Sequence, residues 1–286
     1  MTIVAEPRPV DRSASRVRVL RETGERHARR ARADRLVVWG GVVALGVTML
    51  LVWEYAMGLF VNTRYISSPS EVVSALVEQF ESGDLARHVT ATMTAAGGGY
   101  LIGIVVGLTG AFLLMASRRG YDVLEPFLLA FYSIPKIALA PLFIMWFGLA
   151  LTPKILLAAL MVFFIVFMNT VAGVRSVDRG MIDVARVFGA GRLTLIRKIL
   201  IPAAAPSIMA AIRVTFSRAM VGAILAEFIA STAGLGYMIV RAARQFDIAT
   251  VFAGVVVIAA LVMLVNAIIR FVESRLFPWA SGQVAG

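Results

Sequence analysis

Long uninterrupted apolar segments restrict the folds open to this chain more than any other feature. Six of them are long enough to cross a bilayer as helices, which takes about 20 residues each. Their approximate bounds are 36–56, 93–117, 126–148, 154–174, 206–230 and 251–272. Only 16% of the residues are charged, whereas a water-soluble chain carries about a quarter. The sequence therefore predicts an all-α polytopic membrane protein with about six transmembrane helices.

Basic residues are concentrated ahead of the first apolar segment. Residues 1–35 contain ten of the 28 basic residues, and the net charge is +11. The positive-inside rule produces such a segment next to a span, so we interpret it as a cytoplasmic arm and expect no nucleic-acid binding. Its length argues against a cleaved signal peptide. Membrane anchoring, an elbow helix and contact with a partner protein remain open as roles for the arm.

The remaining basic residues predict the orientation of the spans. With the arm inside, 20 of the 28 basic residues fall in cytoplasmic segments and five fall outside, while three lie within spans. This excess predicts that both termini face the cytoplasm. The membrane domain then covers 36–277, and 278–286 form a short cytoplasmic tail.

Two local patterns predict further structure on the outer side and within the second span. In the external segment, Ser70 can N-cap a short surface helix. In the second span, Gly99, Gly103 and Gly107 recur at intervals of four and form a ridge of small residues. Such a ridge allows another helix to approach closely, so we interpret it as a packing surface.

Several residues of the spans are candidates for lining a translocation path: Pro135, Lys136, Pro141, Arg218 and Glu227. The prolines remove backbone donors and would kink the third span. Lys136 and Arg218 lie near the midplane by residue count, where a charge is costly unless it faces a cavity or a partner. They either line the path, which suits an anionic substrate, or bond backbone carbonyls that the kinks free. Glu227 either closes an outer gate or bonds the turn at Gly234-Leu235-Gly236.

The sequence offers little for catalysis. It has no cysteine and two histidines, His27 and His88, neither of which falls in a predicted span. We therefore predict no metal site and no catalytic residue, and an intramembrane enzyme is disfavoured. A phosphate-binding loop of the Walker type is also missing, so any ATP hydrolysis must come from another chain. A channel or a secondary transporter remains a remote alternative.

The loop at about 175–205 is long, charged and helix-prone. It contains Asp183-Val184-Ala185, then Gly189, then Ile199-Leu200-Ile201-Pro202. Gly189 permits a sharp bend between two short helices, and Pro202 and Pro206 are expected to end the second helix before the fifth span. The apolar residues of this hairpin predict docking on a partner, the alternative being a hairpin that lies flat on lipid headgroups.

This spacing resembles the EAA motif of ATP-binding-cassette importer permeases, with Asp183, Val184 and Ile201 as substitutions. Other segments resemble the nitrate, sulfonate and taurine importer permeases. They are Tyr132 to Phe143 with Trp146-Phe147-Gly148, Ala226-Glu227-Phe228 with Gly234-Leu235-Gly236, and Ser68-Pro69-Ser70. The likeness covers roughly 60–277.

The resemblance implies a type I importer permease fold with cytoplasmic coupling helices, in a bacterial inner membrane. It implies two copies of a cytoplasmic ATPase, a second permease subunit that we expect to be another copy of this chain, and an extracytoplasmic solute-binding protein. ATP and Mg would bind the ATPase, and no cofactor would bind this chain. The motif assigns coupling to these residues: Asp183, Ala185, Gly189, Ile199, Ile201 and Pro202.

The resemblance also bears on the substrate. It implies a small, anionic organic or inorganic solute of the nitrate, sulfonate, taurine or aromatic carboxylate class. A neutral or cationic solute, such as a pyrimidine vitamin precursor or riboflavin, is the alternative with the same architecture. Lys136 and Arg218 favour the anion because both are cations within predicted spans.

Overall fold

The computed structural model describes residues 37–55, 66–115 and 118–276. The predicted arm at 1–35 and tail at 278–286 lie outside these residues. The chain divides into two units, 1–63 and 64–286. The described part of the first unit is one apolar helix, α1, at Val37–Tyr55, which is long enough to cross a membrane.

The second unit is helical and has no strand within its described residues. Its helices are α2 Pro69–Glu81, α3 Asp84–Met115, α4 Arg118–Ser133, a 3-10 turn Lys136–Leu139, α5 Ala140–Phe147, α6 Leu151–Arg175, α7 Arg179–Val187, α8 Arg192–Leu195, a π turn Ile196–Leu200, α9 Ile201–Ile229, α10 Leu235–Arg244 and α11 Ile248–Leu276. Across the described residues, five helices are apolar and long enough to span a membrane, and a bent pair makes six. The predicted number of spans is confirmed.

The core of the second unit lies where α3, α6 and α9 meet. Small residues dominate this core: Ala95, Ala96, Ala158, Ala219 and Ala223 are almost completely buried. The glycine ridge of α3 packs directly on α6, since a Cβ added to Gly103 would lie 2.6 Å from the Cβ of Val162. The interpretation of the ridge as a packing surface is confirmed, and α6 is the helix that it contacts.

The short helix α2 exists, but its predicted N-cap is wrong. Ser68, and not Ser70, caps the helix: the Ser68 hydroxyl accepts from the backbone N–H of Glu71, and the Glu71 carboxylate accepts from the Ser68 N–H at 3.0 Å. The cap falls earlier because Pro69 occupies the first helical position, where its missing N–H costs nothing. Hydrogen bonds from the Ser67 hydroxyl and then the Ser68 backbone lower the pKa of Glu71.

The third span is broken, and not simply kinked. α4 ends at Ser133, and the chain bends by 83° between α4 and the segment Lys136–Phe147, which contains the 3-10 turn and α5. Pro135 lies at this break, as predicted, whereas the kink predicted at Pro141 is wrong. Pro141 lies in the first turn of α5, where a helix has no use for the missing N–H, so it begins a helix instead of bending one. A different proline, Pro126, lies inside α4.

The loop between the fourth and fifth spans forms the expected hairpin. Gly189 has a φ of +78° and turns the chain between α7 and α8, which confirms the predicted bend. Pro202 and Pro206 do not end the second helix, and this prediction is wrong. The π turn leads into α9 without a break, and its wider bonding, with the Ile201 N–H donated to the Ile196 carbonyl, accommodates the following proline.

Candidate functional site

The tip of the hairpin presents apolar side chains to its surroundings. Val187 and Phe188 are 85% and 86% exposed, and Leu193 on the second arm is also exposed. Val187 is the last residue of α7 and Phe188 follows it, while the N-terminus of α7 is capped by Asp178 through the Gly180 N–H at 2.8 Å. A rigid, capped helix that ends in exposed apolar residues is suited to insertion into a cleft of a partner.

The predicted coupling residues lie on both arms of the hairpin. Asp183 and Ala185 lie on α7, Gly189 lies at the turn, Ile199 lies on the π turn, and Ile201 and Pro202 begin α9. Asp183 is exposed and pairs with Arg186 at 3.5 Å. A cavity of about 640 Å³ reaches both arms, because Asp183 and Leu200 each line it. Their role in coupling stays a prediction.

Arg175, the last residue of α6, binds the base of the hairpin to α4. It is one of the 20 basic residues predicted to be cytoplasmic, and the sequence predicted no partner for it. The Arg175 guanidinium lies 3.2 Å from Glu125 and 3.8 Å from Asp122. It also stacks 4.2 Å from the centre of the Tyr121 ring, and the Tyr121 hydroxyl donates to Glu125 at 2.9 Å. A displacement of the hairpin would therefore reach α4, the helix that leads to the break at Pro135.

The two cations of the predicted path have different surroundings. The Lys136 Nζ donates to the Tyr132 carbonyl at 2.6 Å and lies 4.5 Å and 4.9 Å from the rings of Tyr132 and Phe164. It thus bonds a carbonyl at the end of the broken helix, as one of the two interpretations expected. Arg218 is exposed on α9 and forms no ion pair with another described residue. Whether either residue lines the path stays a prediction.

Glu227 lies at the centre of a buried polar cluster. Its side chain is 1% exposed, and its carboxylate accepts from the Thr92 hydroxyl at 2.9 and 3.0 Å and from the Gly236 N–H at 2.8 Å. The bond to the glycine turn confirms one of the two roles expected for Glu227. Gly234, with a φ of +126°, and Gly236 leave room for the carboxylate, since an added Cβ would collide with Glu227 at both positions.

Three further side chains complete the buried polar cluster, which we define as His88, Thr92, Lys154 and Glu227. The Thr92 hydroxyl accepts from the Leu235 N–H at 2.7 Å, and His88 Nδ1 accepts from the Gly234 N–H at 3.1 Å. Lys154 Nζ donates to the Ser231 hydroxyl at 2.6 Å and to the Ala233 carbonyl at 2.9 Å. The four side chains thereby hold the segment 231–236 against α3, α6 and α9.

The cluster corrects two sequence expectations. His88 was expected outside the spans, but α3 begins at Asp84, so His88 lies within a helix long enough to cross the membrane. Lys154 was counted with the residues of an external loop, yet α6 begins at Leu151 and buries it. The sequence pointed to Glu227 and the glycine turn, whereas for His88 and Thr92 it offers only their spacing of four, which places both on one helix face.

An ion pair between a half-buried arginine and a buried glutamate joins α9 to α11. Arg213 donates from Nε and Nη2 to the two carboxylate oxygens of Glu273, at 2.9 and 2.5 Å. Arg213 is the third of the basic residues that fall within predicted spans, the others being Lys136 and Arg218, and the sequence predicted no partner for it. The pair compensates both charges where the helices pack.

Comparison with known proteins identifies the family. Residues 99–278 match the family described as binding-protein-dependent transport system inner membrane component. The chain belongs to this family. It is 34% identical over 242 residues to the aliphatic sulfonates transport permease SsuC of Bacillus subtilis, with 84% of this chain and 88% of the relative covered.

Other relatives carry names with different substrates. The riboflavin transport system permease RibX of Chloroflexus aurantiacus is 33% identical, with 83% of this chain and 90% of the relative covered. The formylaminopyrimidine transport permease ThiX of Halalkalibacterium halodurans is 30% identical, with 82% and 94% covered. An inward-facing structure of the MetNI methionine ABC transporter matches with a TM-score of 0.60 and 21% identity, over 70% of this chain and 97% of that chain.

These matches confirm several sequence predictions. The fold is that of a type I importer permease. The chain is a multi-pass permease subunit of the inner membrane and is not itself catalytic, since ATP hydrolysis in this family belongs to a separate ATPase. Membership also implies, in general terms, a partner ATPase and a solute-binding protein.

Proposed function

We propose that this permease imports a small organic anion of the aliphatic sulfonate class. The observation that supports an anionic substrate is the exposure of Arg218. This permanent cation lies on α9 and forms no ion pair with another described residue. A charge in a span is costly unless it faces a cavity or a partner, so Arg218 is suited to a polar path that an anion follows. Within the wider class of nitrate, sulfonate, taurine and aromatic carboxylates, the name of SsuC in Bacillus subtilis and Escherichia coli supports the choice of sulfonates.

The assembly that we propose contains two copies of this chain and two copies of a cytoplasmic ATPase. Val187 and Phe188 enter an apolar cleft of each ATPase, because leaving them in water would be unfavourable. ATP and Mg bind the ATPase. Its closure moves the hairpin, and Arg175 carries the movement to α4 through Asp122 and Glu125. Both termini face the cytoplasm, and a solute-binding protein delivers the substrate from outside.

A neutral solute is the second candidate, and one contact favours it. Lys136 is satisfied within the chain by the Tyr132 carbonyl and two aromatic rings, so it has less need of an anion. The names of ThiX and RibX agree with a neutral, ring-shaped solute.

Uptake measurements separate the two candidates. Cells in which this chain is deleted should lose uptake of radiolabelled ethanesulfonate, and the wild-type chain should restore it. Arg218→Met should abolish the restored uptake, whereas Arg218→Lys should retain part of it because the charge remains. Arg270→Met, the same change at an exposed position near the end of α11, is the matched control. A deletion strain that loses riboflavin uptake but keeps ethanesulfonate uptake would contradict the anionic substrate and support the neutral one.

The assembly has its own test. The tagged chain, purified from its own membranes in a mild detergent, should appear in native mass spectrometry with two permease copies and two ATPase copies. Val187→Asp combined with Phe188→Asp should release the ATPase while the permease copies stay together. A permease that retains the ATPase despite both changes would contradict docking through the hairpin tip.

A further inference from the structure

A wide-open surface cavity of about 650 Å³ lies at the end of the bundle where α3 and α6 begin and α9 ends. Its walls come from the first turns of α3, from residues 149–154 at the start of α6 and from the 232–233 segment. Volumes of this size accommodate small organic molecules. In the orientation proposed above, the cavity opens to the outside of the cell.

The charges of the cavity wall have one sign. Arg87 and Lys154 both line the cavity, and no carboxylate does. The hydroxyls of Thr90 and Thr94 donate to carbonyls of their own helix, at 2.7 Å in each case, so they are not free to donate to a ligand. Thr232, which is exposed, also lines the cavity, so the charged donors available to a ligand are the two cations and the Thr232 hydroxyl adds a neutral one.

Lys154 is the unusual member of this wall, because a buried lysine rarely lacks a carboxylate bonded directly to it. It is 6% exposed, and its ammonium donates to two neutral acceptors, the Ser231 hydroxyl and the Ala233 carbonyl. No salt bridge joins Lys154 to another described residue. An ammonium has three N–H donors, so one remains beyond these two bonds. The charge is thus held in place and is bonded directly to no carboxylate of the described residues.

Glu227 compensates this charge in part from a distance, but its two oxygens form no bond to Lys154. Both receive the Thr92 hydroxyl, and one also receives the Gly236 N–H. The carboxylate is therefore held against α3 and α10. A buried ammonium without a bonded counter-ion is stabilised when an anion binds beside it.

We infer that this cavity binds the oxyanion headgroup of a singly charged small molecule, with Lys154 as the inner ligand and Arg87 as the ligand at the rim. Leu149 and Leu151, which also line the cavity, suit a short aliphatic tail. This inference rests on the proposed function in one respect: the ligand is then the sulfonate of the solute, bound at the outer mouth before it reaches Arg218. A phosphate of an anionic lipid has the same chemistry and is the other possible source of the oxyanion.

Binding of trifluoromethanesulfonate tests the site directly. The full chain is placed in nanodiscs of phosphatidylcholine, which is neutral, and binding is followed by ¹⁹F NMR. We expect saturable binding that ethanesulfonate displaces and tetramethylammonium does not. Lys154→Met should weaken binding about tenfold or more, since it removes a charged donor, while Lys154→Arg should stay within about threefold of wild type. Arg87→Met should weaken binding about threefold.

Two variants protect the test against misfolding and nonspecific charge effects. Arg87 is exposed, so its substitution tests the cavity even where Lys154→Met fails to fold. Arg241→Met removes an exposed arginine of α10 that does not line this cavity, and it should leave binding unchanged. Equal binding by wild type, Arg87→Met and Lys154→Met would overturn the inference.

Further arms identify the source of the anion and separate this inference from the proposed function. In nanodiscs with phosphatidylglycerol, sulfonate binding that persists supports the solute. Lipid retention that depends on Lys154, together with lost sulfonate binding, supports the site with a lipid headgroup as its ligand. Normal ethanesulfonate uptake by Lys154→Met, together with sulfonate binding and lipid retention equal to those of wild type, would overturn the inference and leave the proposed function standing. Sulfonate binding that depends on Lys154, without any sulfonate uptake, would support the inference and contradict the proposed function.

Discussion

Thr92 is the residue on which the buried polar cluster depends most. Its hydroxyl donates to Glu227 of α9 and accepts from the Leu235 N–H of α10, while its backbone belongs to α3. It is completely buried. Because water cannot replace either bond there, removing the hydroxyl leaves a carboxylate and a backbone N–H without their partner.

We therefore expect Thr92→Val, which keeps the shape of the side chain, to lower the free energy of unfolding by about 2–3 kcal/mol. Thr92→Ser, which keeps the hydroxyl, should recover most of this. Thr109→Val is the matched control, since the exposed Thr109 bonds only carbonyls of its own helix, and we expect a change within about 0.5 kcal/mol. Thermal unfolding in detergent, followed by circular dichroism, measures all three. A Thr92→Val variant as stable as Thr109→Val would contradict the role of the cluster.

At the scale of elements, the contact between α3 and α6 depends on glycine. A Cβ at Gly103 would lie 2.7 Å from the Ala159 carbonyl oxygen, and Gly222 of α9 approaches α6 from another side with 2.8 Å to the Ala158 Cα. Backbone atoms cannot move aside as a flexible side chain can. The helices must separate if these glycines gain a methyl group.

Gly103→Ala should consequently destabilise the protein by about 3 kcal/mol or more. Gly97→Ala, on the same helix, has nothing within 4 Å of its Cβ and should instead stabilise it by up to about 1 kcal/mol through helix propensity. The midpoints of thermal unfolding should move in opposite directions. Two variants that shift the midpoint equally would show that the ridge does not determine the packing.

The hairpin depends on Gly189, but for its backbone conformation and not for close helix packing. Gly189 has a φ of +78° with open space around it, so a side chain there meets no atom but strains the backbone by about 1 kcal/mol. Gly189→Ala should turn the tip residues away from the ATPase and reduce the amount of ATPase that copurifies. Gly189→Asn should retain more, because asparagine tolerates this conformation. Gly191→Ala has open space and no positive φ, so copurification should match wild type.

For the whole molecule, the absence of cysteine makes the orientation directly measurable. Single cysteines introduced at exposed positions report the side on which each end of the bundle lies. In intact spheroplasts, a maleimide that does not cross membranes should label Glu78→Cys and Gln245→Cys. It should label Thr194→Cys, on the second arm of the hairpin, only after permeabilisation. The opposite pattern would reverse the predicted orientation and place the hairpin outside.

Local patterns were sufficient for the spans and for the bend of the hairpin. A span needs only a long apolar run, and the turn at Gly189 needs only a residue that tolerates a positive φ. The same local reasoning failed at Pro141, Pro202 and Pro206. The effect of a proline depends on where a helix begins and on which turn precedes it, and a composition pattern does not specify either.

The polar contacts were decided by tertiary structure. Thr92 and Glu227 are 135 residues apart in the chain, and His88 and Gly234 are 146 apart. Arg213 and Glu273 are 60 apart and are joined only because α9 packs on α11. No spacing along one helix can indicate such partners. They become neighbours when small residues let α3, α6 and α9 approach closely, and a buried charge then bonds whatever polar group that packing places beside it.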